Sequence, residues 1–184
     1  MQFRLKLAVA VAVLGAAAVG SAAIAHDRHH SLEAFLHGFE EVPAVSTGAI
    51  GEFDAVISRD ESRIDWKLTY GGTFNGTITQ AHVHFAQKSV NGAIAVWFCK
   101  TTQAAPPGTQ DCVQPAPGKK VTLTGTWRPA DIAPTVDAQG IGAGEFAELI
   151  RALRAGVAYA NVHSNTQPGG EIRGQVSDGR GNDH

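Results

Sequence analysis

The sequence predicts a mainly β protein, an antiparallel β-sandwich or barrel of about eight short strands with one short helix near its C-terminal end. Apolar and polar residues alternate along several short runs, as in strands that turn one face to a core. Turn-forming pairs such as Gly71-Gly72 and Asn91-Gly92 separate these runs at intervals of about ten residues. One segment, Glu145 to Ala155, repeats its apolar residues at helical spacing.

The first half of the chain carries four of the predicted strands. The third is the clearest, because every second residue from Ile64 to Tyr70 is apolar and the residues between them are polar. The fourth contains His82 and His84, which would share the face opposite to Val83. The four strands are Leu32 to Phe39, Ala49 to Ser58, Arg63 to Tyr70 and Thr77 to Ala86.

The second half of the chain supplies four more strands and the helix. Turn formers fill residues 165–170, so the last two strands should pair as a closing hairpin. Within the helix, Phe146, Leu149 and Leu153 form a stripe that should pack on the core, and Gly156 ends the helix. The four strands are Ala93 to Cys99, Val121 to Trp127, Val157 to Ser164 and Glu171 to Ser177.

Residues 1–25 have the pattern of a secretory signal peptide. Arg4 and Lys6 precede an apolar run, and Ala23-Ile24-Ala25 is a small-residue cleavage site, so we expect cleavage after Ala25. The alternative is an uncleaved membrane anchor, which the short length of the apolar run disfavours. No later stretch is apolar enough to span a bilayer. The protein is therefore predicted to be periplasmic or secreted, without a transmembrane span after cleavage.

The remaining chain divides into a short N-terminal segment, one domain and a short tail. We predict a disordered His-rich segment at 26–31, a single β-sandwich domain at 32–177 and a disordered tail at 178–184. The formal net charge is −2 and no basic face is visible, which argues against a nucleic-acid partner. After cleavage, the free amine and imidazole of His26 could chelate copper. The alternative that we favour is a disordered tail with weak metal affinity.

Two cysteines, Cys99 and Cys112, are the only ones in the chain. An exported protein with two cysteines is expected to join them in a disulfide, here around a loop rich in Pro and Gly. The alternative is two free thiols that bind a metal, which an oxidising compartment disfavours. A blue-copper centre is also disfavoured, because it needs a thiolate and commonly an axial Met, and the only Met is Met1.

Three histidines on alternating strands are the candidate functional residues. His82 and His84 are close enough along one strand face to reach a single metal ion, and His163 lies in another alternating run. Three imidazoles suit copper or zinc, and Glu41 and Glu171 are candidate fourth ligands or partners that orient a ring. The alternative is a hydrogen-bonded polar cluster in which His82 holds Asn161 or a loop carbonyl, and Arg173 pairs with Glu171 or Glu41.

Several ordered motifs of the chain resemble the CHRD domain, a family named for repeats in chordin and also found in bacterial exported proteins. The resemblance covers about Glu33 to Ser177 and implies an immunoglobulin-like β-barrel related to copper/zinc superoxide dismutase. The motifs are Gly38-Phe39-Glu40-Glu41-Val42-Pro43 with Thr47 and Gly51, Ile78-Thr79-Gln80-Ala81-His82-Val83-His84, Tyr159-Ala160-Asn161-Val162-His163-Ser164, and Pro168-Gly169-Gly170-Glu171-Ile172-Arg173-Gly174-Gln175.

The same resemblance suggests roles for four side chains. His82 and His84 look like the copper-binding His-x-His strand of the dismutases, His163 resembles their distant copper histidine, and Arg173 resembles their active-site arginine. This chain has no bridging histidine and no zinc-binding loop between His84 and Cys99. Dismutase chemistry therefore ranks below the other hypotheses.

Two main hypotheses for function follow from the sequence. The favoured one is an exported module that binds a metal ion, with copper first and zinc second, through His82, His84 and His163. The alternative is a non-catalytic interaction domain that binds another exported protein or the cell envelope. A superoxide dismutase-like oxidoreductase is the third hypothesis, and the residues favour a binding protein over an enzyme.

Overall fold

The computed structural model of the chain describes residues 30–101 and 105–178. The predicted signal peptide, its cleavage site, most of the His-rich segment and nearly all of the predicted tail lie outside the described residues. Among the described residues, no helix has the length and apolar character needed to cross a membrane.

The described chain forms one antiparallel sheet of eight strands in the order β5-β4-β7-β8-β1-β2-β3-β6. The mainly β prediction with about eight strands is confirmed, and the sheet takes the form of a nearly closed barrel. The strands are β1 (Ser31–His37), β2 (Gly48–Ile57), β3 (Ile64–Thr73), β4 (Ile78–Phe85), β5 (Ala93–Lys100), β6 (Lys120–Trp127), β7 (Ala158–Ser164) and β8 (Ile172–Gln175), and the helix is α1 (Phe146–Arg154).

The core lies inside the curled sheet and includes Phe146, Leu149 and Leu153 of α1, the stripe that the helical spacing predicts. Every second residue from Ile64 to Tyr70 on β3 is buried, as the alternation predicts. The ring of Trp66 stacks on that of Trp127 with centroids 5.4 Å apart, and both rings contact Phe98 of β5. The indole of Trp127 also donates to the Trp97 carbonyl over 2.8 Å, which links β6 to β5 across the seam of the barrel.

The structure differs from the prediction mainly at the ends of elements. Phe39, predicted to end the first strand, lies instead in a 3-10 helix of Gly38–Glu40, where the chain turns away from the sheet. Ser31, predicted to be disordered, begins β1 because it pairs with Val56 of β2. Two further 3-10 helices, Pro129–Asp131 and Pro134–Gln139, begin at the prolines that end the sixth strand's pattern.

Two of the predicted pairings are present. Strands β7 and β8 form the predicted hairpin, with Asn161 opposite Arg173. Cys99 and Cys112 lie at disulfide distance, with Cα atoms 4.9 Å apart, and join residue 112 to β5.

Close packing of β6 against Trp66 requires a glycine at position 125, so a larger residue there should destabilise the protein. A Cβ atom at Gly125 would lie 2.7 Å from Cε2 of the Trp66 ring, which is itself packed on both sides. We expect Gly125→Ala to lower the free energy of unfolding by about 1–3 kcal/mol, the usual cost of overpacking a core. Urea denaturation followed by tryptophan fluorescence measures this change.

Gly169→Ala is the matched control for this substitution. A Cβ atom at Gly169 would meet nothing within 4 Å, so the same chemical change should leave stability within about 0.5 kcal/mol of the parent. A Gly125→Ala protein as stable as the control would contradict the packing argument.

Candidate metal centre

Strand pairing brings the candidate residues onto one face of the sheet. Strands β4 and β7 are antiparallel with His82 opposite Asn161, and β8 continues the row with Arg173 opposite Asn161. The alternate residues of β4 and β7, such as Val83 and Val162, are fully buried in the core. Because side chains alternate along a strand, the core residues force the histidines onto the outer face.

The three histidines meet on this face. One ring nitrogen of each lies within 4.8 Å of those of the other two, and the ring centroid of His82 is 4.5 Å from that of His84 and 4.4 Å from that of His163. Nitrogen atoms that share one metal ion lie roughly 3–4 Å apart, so closure on an ion takes a movement of about 1 Å. Irregular pairing of β4 with β5 at Ala81/His82 and Val83/His84 helps to direct these side chains.

The histidine face is buried, although it lies outside the barrel. The exposed fractions of His82, His84 and His163 are 1%, 9% and 4%. Aromatic rings close the sides, since Trp97 meets His82 edge-on at 4.9 Å and Tyr159 stacks on His84 at 4.7 Å. The candidate site is therefore an enclosed cluster rather than a surface patch.

Backbone carbonyls fix the protonation of two rings. Nδ1 of His84 lies 2.8 Å from the Gly92 carbonyl oxygen, and Nδ1 of His163 lies 2.9 Å from that of Pro168. A carbonyl only accepts, so each Nδ1 carries the hydrogen and each neutral ring keeps a lone pair on Nε2. Carbonyl partners of this kind orient metal-binding imidazoles in many proteins.

The ring nitrogens nearest the centre are largely unpaired. Nε2 of His84 and both ring nitrogens of His82 are buried without a hydrogen-bond partner among the described residues. Nε2 of His163 lies 3.0 Å from Oδ1 of Asn161. A neutral ring with its hydrogen on Nδ1 cannot donate there, so this contact calls for the Asn161 amide to turn its NH₂ group toward the ring.

Burial keeps all three rings neutral at pH 7. Desolvation lowers the pKa of His84 and that of His163 to about 4. Desolvation, reinforced by the neighbouring His163 and His84, holds the pKa of His82 well below its usual value. Neutral imidazoles are the form that binds metal ions, so the rings need not lose protons first.

Arg173 supports the covering loop and does not reach the centre as a ligand. Its guanidinium carbon lies 3.3 Å from the centroid of the Tyr159 ring, a cation–π contact. It donates to the Val90 carbonyl over 2.8 Å and to Oδ1 of Asn91 over 3.2 Å. Arg173 thus holds residues 86–92, the loop that supplies the Gly92 carbonyl to His84.

Glu41 is buried beside the cluster but lies outside the converging group. Desolvation raises the pKa of its carboxyl to about 7, and the charge of Arg173 acts in the opposite direction. The carboxyl packs against Gly170, where a Cβ atom would come within 2.7 Å of the Glu41 Cδ. Glu41 therefore depends on a glycine at that position of the 165–170 loop.

Glu171 is fully occupied by other partners. Its carboxylate accepts from the Thr47 hydroxyl at 2.7 Å, from the Asn75 backbone N–H at 2.5 Å, and from the Ser164 hydroxyl in a short bond. These contacts tie three loops together next to His163. Glu171 contributes by anchoring the segment that carries Pro168.

Four contributors were missed by sequence reasoning. Tyr159 could have been found, because alternation along β7 places it on the same face as Asn161 and His163. Trp97 could not be assigned to this face from alternation, because the pairing of β5 with β4 is irregular. The carbonyls of Gly92 and Pro168 could not be found, because a backbone carbonyl that accepts from a histidine leaves no signal in the pattern of side chains.

Comparison with known proteins gives one match. The family model described as the CHRD domain matches residues 32–176, most of the chain and all eight strands apart from the first residue of β1. No curated protein and no solved structure matches the chain. This match agrees with the resemblance of the sequence motifs, and the chain belongs to the CHRD domain family.

Proposed function

We propose that this protein is an exported metal-binding module that holds one copper ion through His82, His84 and His163. The observation that carries the proposal is the convergence of three neutral imidazoles whose inward nitrogens are buried and mostly unpaired. Buried polar atoms nearly always have a partner, so a purely structural polar cluster would pair its ring nitrogens. An ion at the centre would be bound by Nε2 of His84 and by one of the two ring nitrogens of His82.

The donor set favours copper, with zinc as second choice. Imidazole nitrogen suits both ions, and among divalent ions copper generally binds more tightly than zinc at a given nitrogen site. His84 and His163 would bind through Nε2, because their Nδ1–H groups already donate to the carbonyls of Gly92 and Pro168. At His163 the ion would displace the amide of Asn161 from Nε2. The ion would supply a redox couple. The protein's residues supply the orientation and the dry surroundings.

Export is the second part of the proposal. The signal-peptide pattern of residues 1–25 and the cysteine pair at disulfide distance both support an oxidising compartment. Copper handling outside the cytoplasm suits such a location.

Metal titration tests the site directly. The chain from His26 with His26, His29 and His30 replaced by Ala, to remove the tail as a chelator, should bind one equivalent of copper. His84→Ala should weaken binding by at least about 100-fold, because loss of even an outer partner of a ligand costs about 10–100-fold. Quenching of tryptophan fluorescence is a suitable readout, since Trp97 contacts His82.

His37→Ala is the control, because His37 lies on β1 outside the converging group. If His82→Ala, His84→Ala and His163→Ala all bound copper like the control, the proposal would fail. The interaction-domain hypothesis would then take its place.

The metal-free protein should lose stability as the pH falls from about 6.5 to 4. An unfolded histidine binds a proton below pH 6.5, whereas His84 and His163 in the folded state stay neutral down to about pH 4. Each can contribute a slope of up to about 1.4 kcal/mol per pH unit in this window. Urea denaturation at pH 7, 6 and 5 in the presence of a chelator measures the loss.

The titration of Glu41 changes stability with pH in the direction opposite to that of the histidines, so it tests the sign of the predicted pH dependence. Its folded pKa of about 7 exceeds its usual 4.5, so its contribution to stability declines as pH rises from 4.5 through 7. Glu41→Gln removes this opposing slope and should make the acid loss steeper than in the parent. Stability that stays flat from pH 7 to 5 in both proteins would contradict the assignment of neutral, buried rings.

A further inference from the structure

We propose that the three-histidine site selects monovalent copper, Cu(I), over divalent Cu(II) and Zn(II). This inference rests on the proposed function and specifies the ion that the same site takes. Three features of the site support it: the number of donors, their charge, and the exclusion of water.

The first feature is the number of donors. In the described part of the chain, the converging group holds three imidazoles, with neither a carboxylate nor a thiolate. Both Glu171 oxygens are taken by Thr47, Asn75 and Ser164. Zinc in proteins is almost always at least four-coordinate, and Cu(II) prefers tetragonal geometry. Cu(I) has a single charge and is satisfied by three nitrogen ligands.

The second feature is the charge of the donors. All three ligands are imidazoles, which bind metal ions in their neutral form, so a bound ion keeps its full charge inside a buried site. The desolvation cost of an ion rises with the square of its charge, so a divalent ion costs about four times as much as a monovalent ion of similar size. A site with no anionic ligand therefore penalises Cu(II) and Zn(II) more than Cu(I).

Charges around the site do not reverse this preference. Arg173 is a buried cation that lies on the Tyr159 ring, which in turn stacks on His84. Glu41 interacts electrostatically with Arg173, and its raised pKa leaves part of it protonated near neutrality. The surroundings therefore provide no excess of negative charge to offset a second positive charge on the metal.

The third feature is the exclusion of water. A divalent ion on three imidazoles would need at least one water to complete its coordination. Tyr159 covers one side of His84, Trp97 meets His82, and none of the three histidines is more than 9% exposed. The enclosed cluster thus favours the ion that needs no further ligand.

Competition titrations of the cleaved, tail-substituted chain test this inference. Cu(I) would be titrated under anaerobic conditions against the chelator bathocuproine disulfonate, and Cu(II) and Zn(II) against chelators of matched affinity. We expect Cu(I) to bind at least 1,000-fold more tightly than Cu(II). This preference corresponds to a midpoint potential of the bound Cu(II)/Cu(I) couple about 180 mV above that of the free Cu(II)/Cu(I) couple.

The outcomes separate this inference from the proposed function. If Cu(II) or Zn(II) binds as tightly as Cu(I), and binding is lost in His84→Ala, the selectivity is wrong and the metal-binding function stands. If none of the three ions binds, the proposed function itself fails.

Two substitutions probe the cause of the selectivity. Asn161→Asp places a carboxylate where Oδ1 lies 3.0 Å from His163 Nε2, and should lower the preference for Cu(I) over Zn(II) by at least tenfold. His37→Ala, on β1 outside the converging group, is the control and should leave the preference unchanged. An Asn161→Asp protein that folds and keeps the parent's preference would overturn the charge argument. If this variant does not fold, the titrations of the parent protein still decide whether the site selects Cu(I).

Discussion

The antiparallel pairing of β4 with β7 is the constraint on which the candidate site depends. His82, His84 and His163 are brought together because Val83 lies opposite Ala160, and Ala81 opposite Val162, on the inner face. A slip of one residue would turn these apolar side chains out and the histidines into the core. The hydrophobic core thus sets the register, and the register sets the geometry of the polar cluster.

Most of what could be predicted from the sequence follows from the alternation of apolar and polar residues along the strands. It places the eight strands, the inward face of β3 and the shared face of His82 and His84, because a strand has a fixed period of two. Alternation cannot predict that this face is buried, since the cover comes from loops. Gly92 and Pro168 act through their carbonyls, and any residue with a suitable backbone conformation could supply those oxygens.

The two glutamates show a second limit of sequence reasoning. Glu41 and Glu171 are both glutamates within the sequence motifs of the CHRD domain, yet the structure gives them different surroundings. Glu171 is satisfied by Thr47 and Asn75, whose positions depend on the β2 and β3 ends. Glu41 keeps one buried oxygen unpaired beside Gly170. Tertiary contacts decide which of the two carboxylates keeps an unpaired oxygen, and such contacts leave no pattern in the neighbouring sequence.

Arg173 connects the cover of the site to its interior. The resemblance suggested an active-site arginine, whereas its contacts here are the Tyr159 ring and the acceptors of residues 86–92. The same loop holds His84 through Gly92, and Asn91 also donates to the Val42 carbonyl next to Glu41. Opening this loop would therefore release His84, Arg173 and the neighbouring loop together. Access to the centre and the alignment of its histidines depend on the same set of hydrogen bonds.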